Sequence, residues 1–559
     1  MSRCDLHVLS SAVLCVTIGN VHALAAQAAP RTSPAITVAD LRSRLFRIAD
    51  DSMLGRETGS KGASQTADYV AAEFRRLGLK PAGERGSWFQ VVPFWVQSPV
   101  ASSLMIDGRV ALRLGTDYVL PSRSVTAAVK SMQVVYGGAA NDPASWIDAT
   151  RATGKLVLLD MRPDAAGKRD VSPLNSIVSA VQFARAAAIA IVRLDLVTPA
   201  AAANLTRYTP RPDTTRAAGR PAVLLITSHA ADLLFGAPVA GAERGTAGRS
   251  VQGDMTLRWR PVAYPARNVV GVLRGRDPAL RGEYVSITGH NDHVGVCMSA
   301  VDHDSIRAFN RVLRPMGADT RTWTETPEAD RNIRQILDSL RRLRPARADS
   351  ICNGADDDAS GTVAILELAE YFARLPAAQR PRRSLLFVSH TGEERGLAGS
   401  AWFTDHATVP VDSIVAEIDD DMIGRGAADD LPEGGPTYLE VVGARRLSNE
   451  FGDLLEAANR EQPVPFVFNY EFDVPGHPLQ YYCRADHYNY ARYGIPSVSF
   501  SRGEHLDYHQ VTDEAQYIDY PDMLRVVNMV RAAVTRIGNL DHAPRLDKPK
   551  GDPHATCVQ

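Results

Sequence analysis

Three consecutive carboxylates, Asp356-Asp357-Asp358, stand between the turn residues Asn353-Gly354 and an apolar helical run that opens at Gly361. A solvated acidic run needs no partner, but carboxylates beside a segment that must be buried need a cation or a proton. One Asp would suit a helix N-terminus with Ser360 as its cap; three exceed that need. Other groups of the same chemistry are spread along the chain: His290 with Asp292, Glu393 with Glu394, Asp421, and His509. Imidazole and carboxylate donors without thiolate suit zinc or a similar divalent ion. Two histidines and three carboxylates are too many for one four-coordinate zinc with an open position, and about right for two metals sharing a bridging carboxylate. Asp292, two residues from His290, is placed to orient its imidazole. The neighbours Glu393 and Glu394 can divide two jobs, one binding metal and the other moving protons.

These side chains need elements to hold them. Runs at 268–273, 284–288, 384–389, 413–418 and 496–500 read as buried strands, with helices over about 361–375, 399–406 and 521–537. The alternation predicts an α/β domain with a largely parallel sheet, in which ligands bind beyond the carboxyl ends of the strands. The polar clusters lie just past those ends. Upstream, Leu41, Leu45 and Ile48 have helical spacing, a second helix runs over 67–77 and stops before Gly78, and 88–96 is extended. Residues 116–262 have another texture. Strand-like runs at 131–136, 155–159 and 222–226, an Ala-rich helix expected over 177–188, and many breakers suit a separate β-rich domain without ligand clusters.

With 559 residues and 45% hydrophobic content the chain exceeds a typical single domain and can bury a large core. A net charge of −2 gives no ground for a nucleic-acid partner. Arg3, the apolar run 8–18 and the small residues at 23–28 form an export-signal pattern, assigned to 1–29. Past it, no apolar run reaches the roughly 18–20 residues needed to span a bilayer.

Six motifs in order carry a resemblance. They are Gly289-His290-Asn291-Asp292-His293, Gly354-Ala355-Asp356-Asp357-Asp358-Ala359-Ser360-Gly361, Gly392-Glu393-Glu394-Arg395-Gly396, Asp421-Met422-Ile423-Gly424-Arg425, Asp486-His487, and His509-Gln510-Val511-Thr512-Asp513. Together they resemble the M28 metallopeptidases, the di-zinc aminopeptidases of the zinc-exopeptidase fold, over about 38–96 and 265–540. The segment 116–262 is similar to the protease-associated domain often inserted in such enzymes, which leaves 30–115 and 263–559 as the peptidase domain. The resemblance implies a phosphorylase/hydrolase-like α/β/α sandwich around a mostly parallel sheet, and two Zn2+ per chain. His290 and Asp421 would hold one zinc, Glu394 and His509 the other, and Asp357 would bridge them. Glu393 would be the general base, Asp292 would orient His290, and Tyr482 would contact the tetrahedral intermediate. Asp356 and Asp358 would shape the turn and helix start. His293 and His487 would line the site or satisfy local hydrogen bonds, His390 would be core, and His509 is preferred to His505. The implied substrates are peptides with a free N-terminus, met in the periplasm or outside the cell by a monomer or weak oligomer.

Residues 298–351 depart from the compact family pattern. This insertion, with a helix expected over 333–343, reads as a lid or specificity loop. Cys297 and Cys352 flank it and, in an exported protein, are expected to pair. Two alternatives remain: a glutaminyl-cyclase-like acyltransferase with one zinc, and a non-catalytic peptidase-like binding module. The complete donor set argues against both.

Overall fold

Residues 384–390 show why the centre of the molecule is a two-faced sheet. Leu385 and Phe387 enter one hydrophobic core, while Leu386 and Val388 enter a second on the opposite side. Successive side chains of a strand point to opposite faces, so a continuous apolar run requires cover on both. The computed structural model describes residues 32–559 except 101–102, 123, 163–176, 178–179, 198–201, 204, 213–220, 321 and 426–434. The expected export signal at 1–29 lies outside the described residues.

The central sheet has nine strands: β1 (Lys80–Pro81), β2 (Phe89–Val92), β3 (Ala266–Leu273), β4 (Tyr284–His290), β5 (Ser384–His390), β6 (Ile414–Asp420), β7 (Tyr438–Val442), β8 (Val467–Asn469) and β9 (Ser497–Ser501). Their order is β1-β3-β5-β4-β6-β9-β7-β8, with β2 also paired to β3. The four central strands β5, β4, β6 and β9 are mutually parallel, so all four end on the same edge. Antiparallel pairs flank this centre.

Six helices matter below: α1 (Val38–Ile48), α2 (Lys61–Leu77), α3 (His303–Leu313), α4 (Pro327–Arg341), α5 (Gly361–Arg374) and α6 (Tyr520–Gly538). On one face α1, α2, α5 and α6 bury Leu41, Leu45, Phe74, Leu366 and Val530 against Phe387. On the other, Phe403 and Tyr490 of two shorter helices cover Leu386 and Val388. The result is the expected α/β/α sandwich. Helix limits follow local chemistry. Thr37 and Ser60 accept hydrogen bonds from the N–H groups of Asp40 and Ala63, and Gly78 ends α2 at φ 79°.

The second sheet has eight strands and its own core around Leu158, Ala190 and Leu224. It begins at Ser103–Ile106, upstream of the expected boundary at 116, and ends with Ala247–Met255. Its entry and exit segments, Trp95–Pro99 and Leu257–Pro261, pair as an antiparallel ribbon. The helix expected over 177–188 does not continue through the described residues 180–188: Val181–Phe183 forms a 3-10 turn and the strand Ala188–Val192 follows. Phe183, Ala186 and Ala188 are buried next to a sheet, where tertiary packing overrides alanine's propensity.

The insertion rises from an antiparallel ribbon, Gly295–Asp302 with Ala348–Cys352. The Sγ atoms of Cys297 and Cys352 lie 3.3 Å apart but are not bonded, so the expected bridge is not formed. Among the described residues the disulfide joins Cys483 to Cys557 instead. Helix α4 starts before the expected 333 because Thr326 caps it, accepting from the Ala329 N–H, and Pro327 occupies its first turn. The insertion leans on the loop after β9. Asn310 donates to the Leu506 carbonyl at 2.8 Å, and the Ala318 N–H donates to the Tyr508 carbonyl at 3.2 Å.

Candidate metal centre

The parallel centre of the sheet delivers the candidate ligands to one edge. β4 ends at His290, β5 leads into the Glu393-Glu394 turn, β6 is followed at once by Asp421, and β9 feeds the loop that carries His509. Met422 (φ 60°) and His509 (φ 56°) adopt the left-handed conformation, which costs a non-glycine residue about 1–2 kcal/mol.

Asp357 reaches the same edge from the loop before α5, where all three Asp are buried. Several groups hold this loop. Arg56, fully buried, donates to the Gly354 carbonyl (2.8 Å), the Asp357 carbonyl (3.4 Å) and the Asn353 carbonyl. Asp513 accepts from the N–H groups of Asp356 (3.0 Å) and Asp357 (3.1 Å). Gly354 (φ 54°) lies against the His293 ring, where a Cβ would fall 2.5 Å from Cγ. Asp358 accepts from the His290 N–H (2.9 Å) and the Gly361 N–H (2.8 Å). Asp356 accepts from the Gly424 N–H (2.6 Å) and faces His505 Nε2 (3.2 Å). The outer two carboxylates of the triplet are therefore used up in structure, and the middle one points into the centre.

Asp357 turns one oxygen to each of two donor groups. Oδ1 lies 3.1 Å from His290 Nε2, which is 3.7 Å from Asp421 Oδ1. Oδ2 lies 2.9 Å from His509 Nε2, which is 3.0 Å from Glu394 Oε2. His293 joins the second group, with Nδ1 at 2.8 Å from Glu394 Oε1 and 3.6 Å from Asp357 Oδ2. From sequence this ring was expected to line the site or satisfy local hydrogen bonds, not to stand among the ligands. The ring belongs to the donor set His293, Asp357, Glu394 and His509, beside the set His290, Asp357 and Asp421.

The residues present fit a metal. His290 Nε2, both ring nitrogens of His293, Asp357 Oδ2 and Glu394 Oε1 are buried without a hydrogen-bond partner. Orphaned polar atoms of this kind are costly unless a ligand satisfies them. Burial alone would lower the basicity of His290, but Asp357 and Asp421 hold it well above the ordinary imidazole value. Burial would raise Asp357, yet His293, His290 and His509 bring it well below the carboxylate range. Glu393 differs from Glu394. Burial pushes the Glu393 carboxyl well above its ordinary value against the pull of His290, while Asp421 and Glu394 add to the rise. A raised carboxyl is a stronger proton acceptor than an ordinary one, which suits proton transfer.

Two expected roles take a different form here. Asp292 accepts from the N–H groups of Gly392 (2.7 Å) and Glu393 (3.2 Å) and from the Thr58 hydroxyl (2.6 Å). Its carboxylate therefore anchors the Glu393 turn, and His290 Nδ1 faces its backbone carbonyl at 3.1 Å, with the carboxylate at 3.7 Å. Tyr482 does not line the cleft beside the ligands. Its ring packs on His487 and beneath the Arg446 guanidinium (4.3 Å), while Tyr481 and Tyr508 line the cleft. His390 is core, hydrogen-bonded to the Tyr490 hydroxyl at 3.0 Å, and burial lowers it to about 3.

A third His/carboxylate group, His303, Asp349 and Glu514, sits under the insertion. Arg347 pairs with both of its carboxylates, so their charge is already met. Among the residues that sequence reasoning missed, Arg56 and Asp513 act on the backbone of the Asp357 loop. Asp513 stood in a quoted motif; Arg56 had no local signal.

Residues 268–534 match peptidase family M28. A 220-residue stretch is 26% identical to a probable zinc metalloprotease of Pyricularia oryzae, covering 33% of this chain and 42% of that protein. A 188-residue stretch is 29% identical to leucine aminopeptidase 1 of Paracoccidioides brasiliensis, covering 32% of this chain and 46% of that one. The chain spans about half the length of the curated relatives it matches. Among solved structures, a zinc aminopeptidase from Bacillus subtilis is similar, with a TM-score of 0.48, 16% identity, and coverage of 90% of this chain and 95% of that one. The stretch that matches peptidase family M28, residues 268–534, contains His290, Asp357, Glu393, Glu394, Asp421 and His509.

Proposed function

We propose that the protein is an exported zinc-dependent aminopeptidase that removes N-terminal residues from peptides and uses two zinc ions per chain. The observation that carries this reading is Asp357, whose two oxygens face two separate donor groups. One ion would be held by His290, Asp357 and Asp421. The other would be held by Asp357, Glu394 and His509, with His293 Nδ1 beside it. When bound, zinc supplies Lewis acidity toward the scissile carbonyl and toward water.

The chain's own residues do the rest. Glu393 lines the cleft, takes a proton from the attacking water and returns it to the departing amine nitrogen. Asp292 fixes the backbone of Gly392 and Glu393, and so sets where that carboxyl points. Asp421 lines the same cleft, and its oxygen not turned to His290 would accept from the α-amine, which selects a free N-terminus over an internal peptide bond. Export is supported by the signal pattern at the N-terminus and by the Cys483–Cys557 disulfide, since such bonds persist in oxidising compartments. The second sheet, with its ribbon-like entry and exit, suits a protease-associated domain.

The test is hydrolysis of aminoacyl p-nitroanilides, their N-acetylated forms, and metal content. The wild type should release p-nitroaniline from free aminoacyl substrates only, and lose this with a chelator. Glu393→Gln should keep its metal and lose about 10²–10⁴-fold in turnover. Equal cleavage of N-acetylated substrates, or near-normal turnover by Glu393→Gln, would overturn the reading.

A further inference from the structure

The cleft beside the metal ligands continues past Asp357, Glu393 and Asp421 to a second set of charged side chains: Glu440, Arg484 and Glu504, with Tyr481. Glu440 stands on β7 and is 3% exposed. It accepts one hydrogen bond, from the Tyr438 hydroxyl at 3.3 Å. Glu504 follows β9. Among the described residues neither carboxylate has a cationic nitrogen within 4.0 Å; other buried acids such as Glu417, Asp419 and Asp420 share this, but they do not line the cleft.

The nearby guanidinium does not serve them. Arg484 donates to Asp319 at 2.7 Å and to the Leu479 carbonyl at 3.4 Å, and its third contact is the Tyr508 hydroxyl. Asp319 comes from the insertion, so the insertion neutralises Arg484, the one cation among the described residues that line the cleft, and leaves two carboxylates over. Burial, and then Glu504, push Glu440 well above its ordinary value. Burial lifts Glu504 to about 7, against Tyr481 and Arg484. Desolvated acids with no ion-paired cation are expensive, and a ligand cation removes the cost.

We propose that this cleft receives the side chain of an N-terminal lysine or arginine, with Glu440 and Glu504 recognising its cationic end. The proposal rests on the aminopeptidase reading and gives it a substrate class. An aliphatic side chain would leave both carboxylates desolvated and unpaired, and an acidic one would meet like charge. Selection therefore comes from rejection as well as attraction. Asp319 is a positioning residue in this scheme, because it keeps Arg484 from pairing with the two acids.

The experiment compares kcat/KM of the zinc-loaded full chain on Lys-, Arg-, Leu- and Glu-p-nitroanilide, for wild type, Glu440→Gln, Glu504→Gln, the double variant and Asp319→Asn, each checked for folding by thermal denaturation. Binding of free L-arginine and L-leucine is measured by calorimetry in the same set. Wild type should favour Lys and Arg over Leu and Glu by at least about tenfold, and the double variant should lose that preference. Asp319→Asn should narrow it while both glutamates remain. Preference for Leu or Glu in the wild type overturns the pocket assignment and leaves the aminopeptidase reading standing. If no substrate is cleaved, the aminopeptidase reading fails, and the calorimetry decides the pocket. Arginine binding that weakens in the double variant upholds it; arginine binding no better than leucine overturns it.

Discussion

The guanidinium of Arg56 donates a 2.8 Å hydrogen bond to the carbonyl of Gly354, three residues before the carboxylate that faces both donor groups. Its other donors reach the carbonyls of Asn291, Asn353 and Asp357, so one fully buried cation ties the His290 segment to the Asp357 loop. Arg56→Met should leave these acceptors unpaired at about 1–3 kcal/mol each, partly offset by relaxation. The expected result is a stability loss of about 3–5 kcal/mol, read from denaturant midpoints, together with weaker zinc retention in a competition with chelator. Arg56→Lys should rescue neither, because a single ammonium cannot reach carbonyls in several directions.

Asp357 differs from the other candidate ligands in facing both donor groups of the proposed two-metal site. Asp357→Asn should therefore lower the content of both metals, whereas Asp421→Asn and His509→Ala should each spare one. Metal analysis of dialysed protein checks this by stoichiometry. An Asp357→Asn protein that keeps a full complement would show that its two oxygens are not shared between ions. The geometry of 3.1 Å to His290 and 2.9 Å to His509 makes loss of both the expected outcome.

Under the sheet, Arg44 joins α1 to α2 and α5. It contacts Glu73 (2.9 Å), Glu367 (2.6 Å) and Glu370 (2.6 Å), and Arg76 also reaches Glu73 and Glu370. Arg374 lies 3.8 Å from Glu370 as well, so Glu367 depends on Arg44 alone. Burial raises Glu367 to about 8, against the pull of Arg44. A folded-state value above the unfolded one means that the folded chain holds a proton the unfolded chain releases. The contribution to stability is then full below about pH 4.5 and lost as pH rises through about 8. Glu367→Gln keeps the shape without titrating. Relative to wild type its stability should rise between about pH 5 and pH 8 and then level off, as measured by urea unfolding across that range.

Much of the fold and of the centre was legible because both follow from short-range patterns. Buried strands such as 384–390 announce themselves as apolar runs, and the rule that ligands gather at strand ends placed His290, Glu394, Asp421 and His509 together without any contact being known. Asp356 and Asp358 were separable from Asp357 only by family motif; the hydrogen bonds of the outer two to Gly424 and His290 supply the physical reason. What was not legible depended on packing across long sequence distances. Nothing near Arg56 hints that its side chain will lie on a loop some three hundred residues away. Tyr481 and Tyr482 are adjacent and chemically alike, and only the path of the chain after Gln480, at φ 54°, decides which ring faces the cleft. The run at 177–188 misled because small apolar residues serve a helix and a packed sheet flank equally well.

The cysteines that flank the insertion make the last case. Cys297 and Cys352 hold their Sγ atoms 3.3 Å apart at the base of the ribbon that carries α3 and α4. The hydrogen bond from Cys352 lowers the Cys297 thiol to about 7, helped by Arg207 against burial. A thiol with that value is substantially thiolate at neutral pH and can attack an oxidant or a mixed disulfide, with Cys352 positioned to resolve it. Mild oxidation should therefore remove two titratable thiols without joining chains, and peptide mapping should find the Cys297–Cys352 link. Closing a loop of this length should stabilise the folded chain by up to about 4 kcal/mol, and Cys297→Ser should abolish the gain. Because α3 and the Ala318 N–H buttress the loop that carries His509, locking the ribbon should also slow zinc loss to chelator. Equal release rates for oxidised and reduced protein would show that the ribbon moves independently of the metal centre.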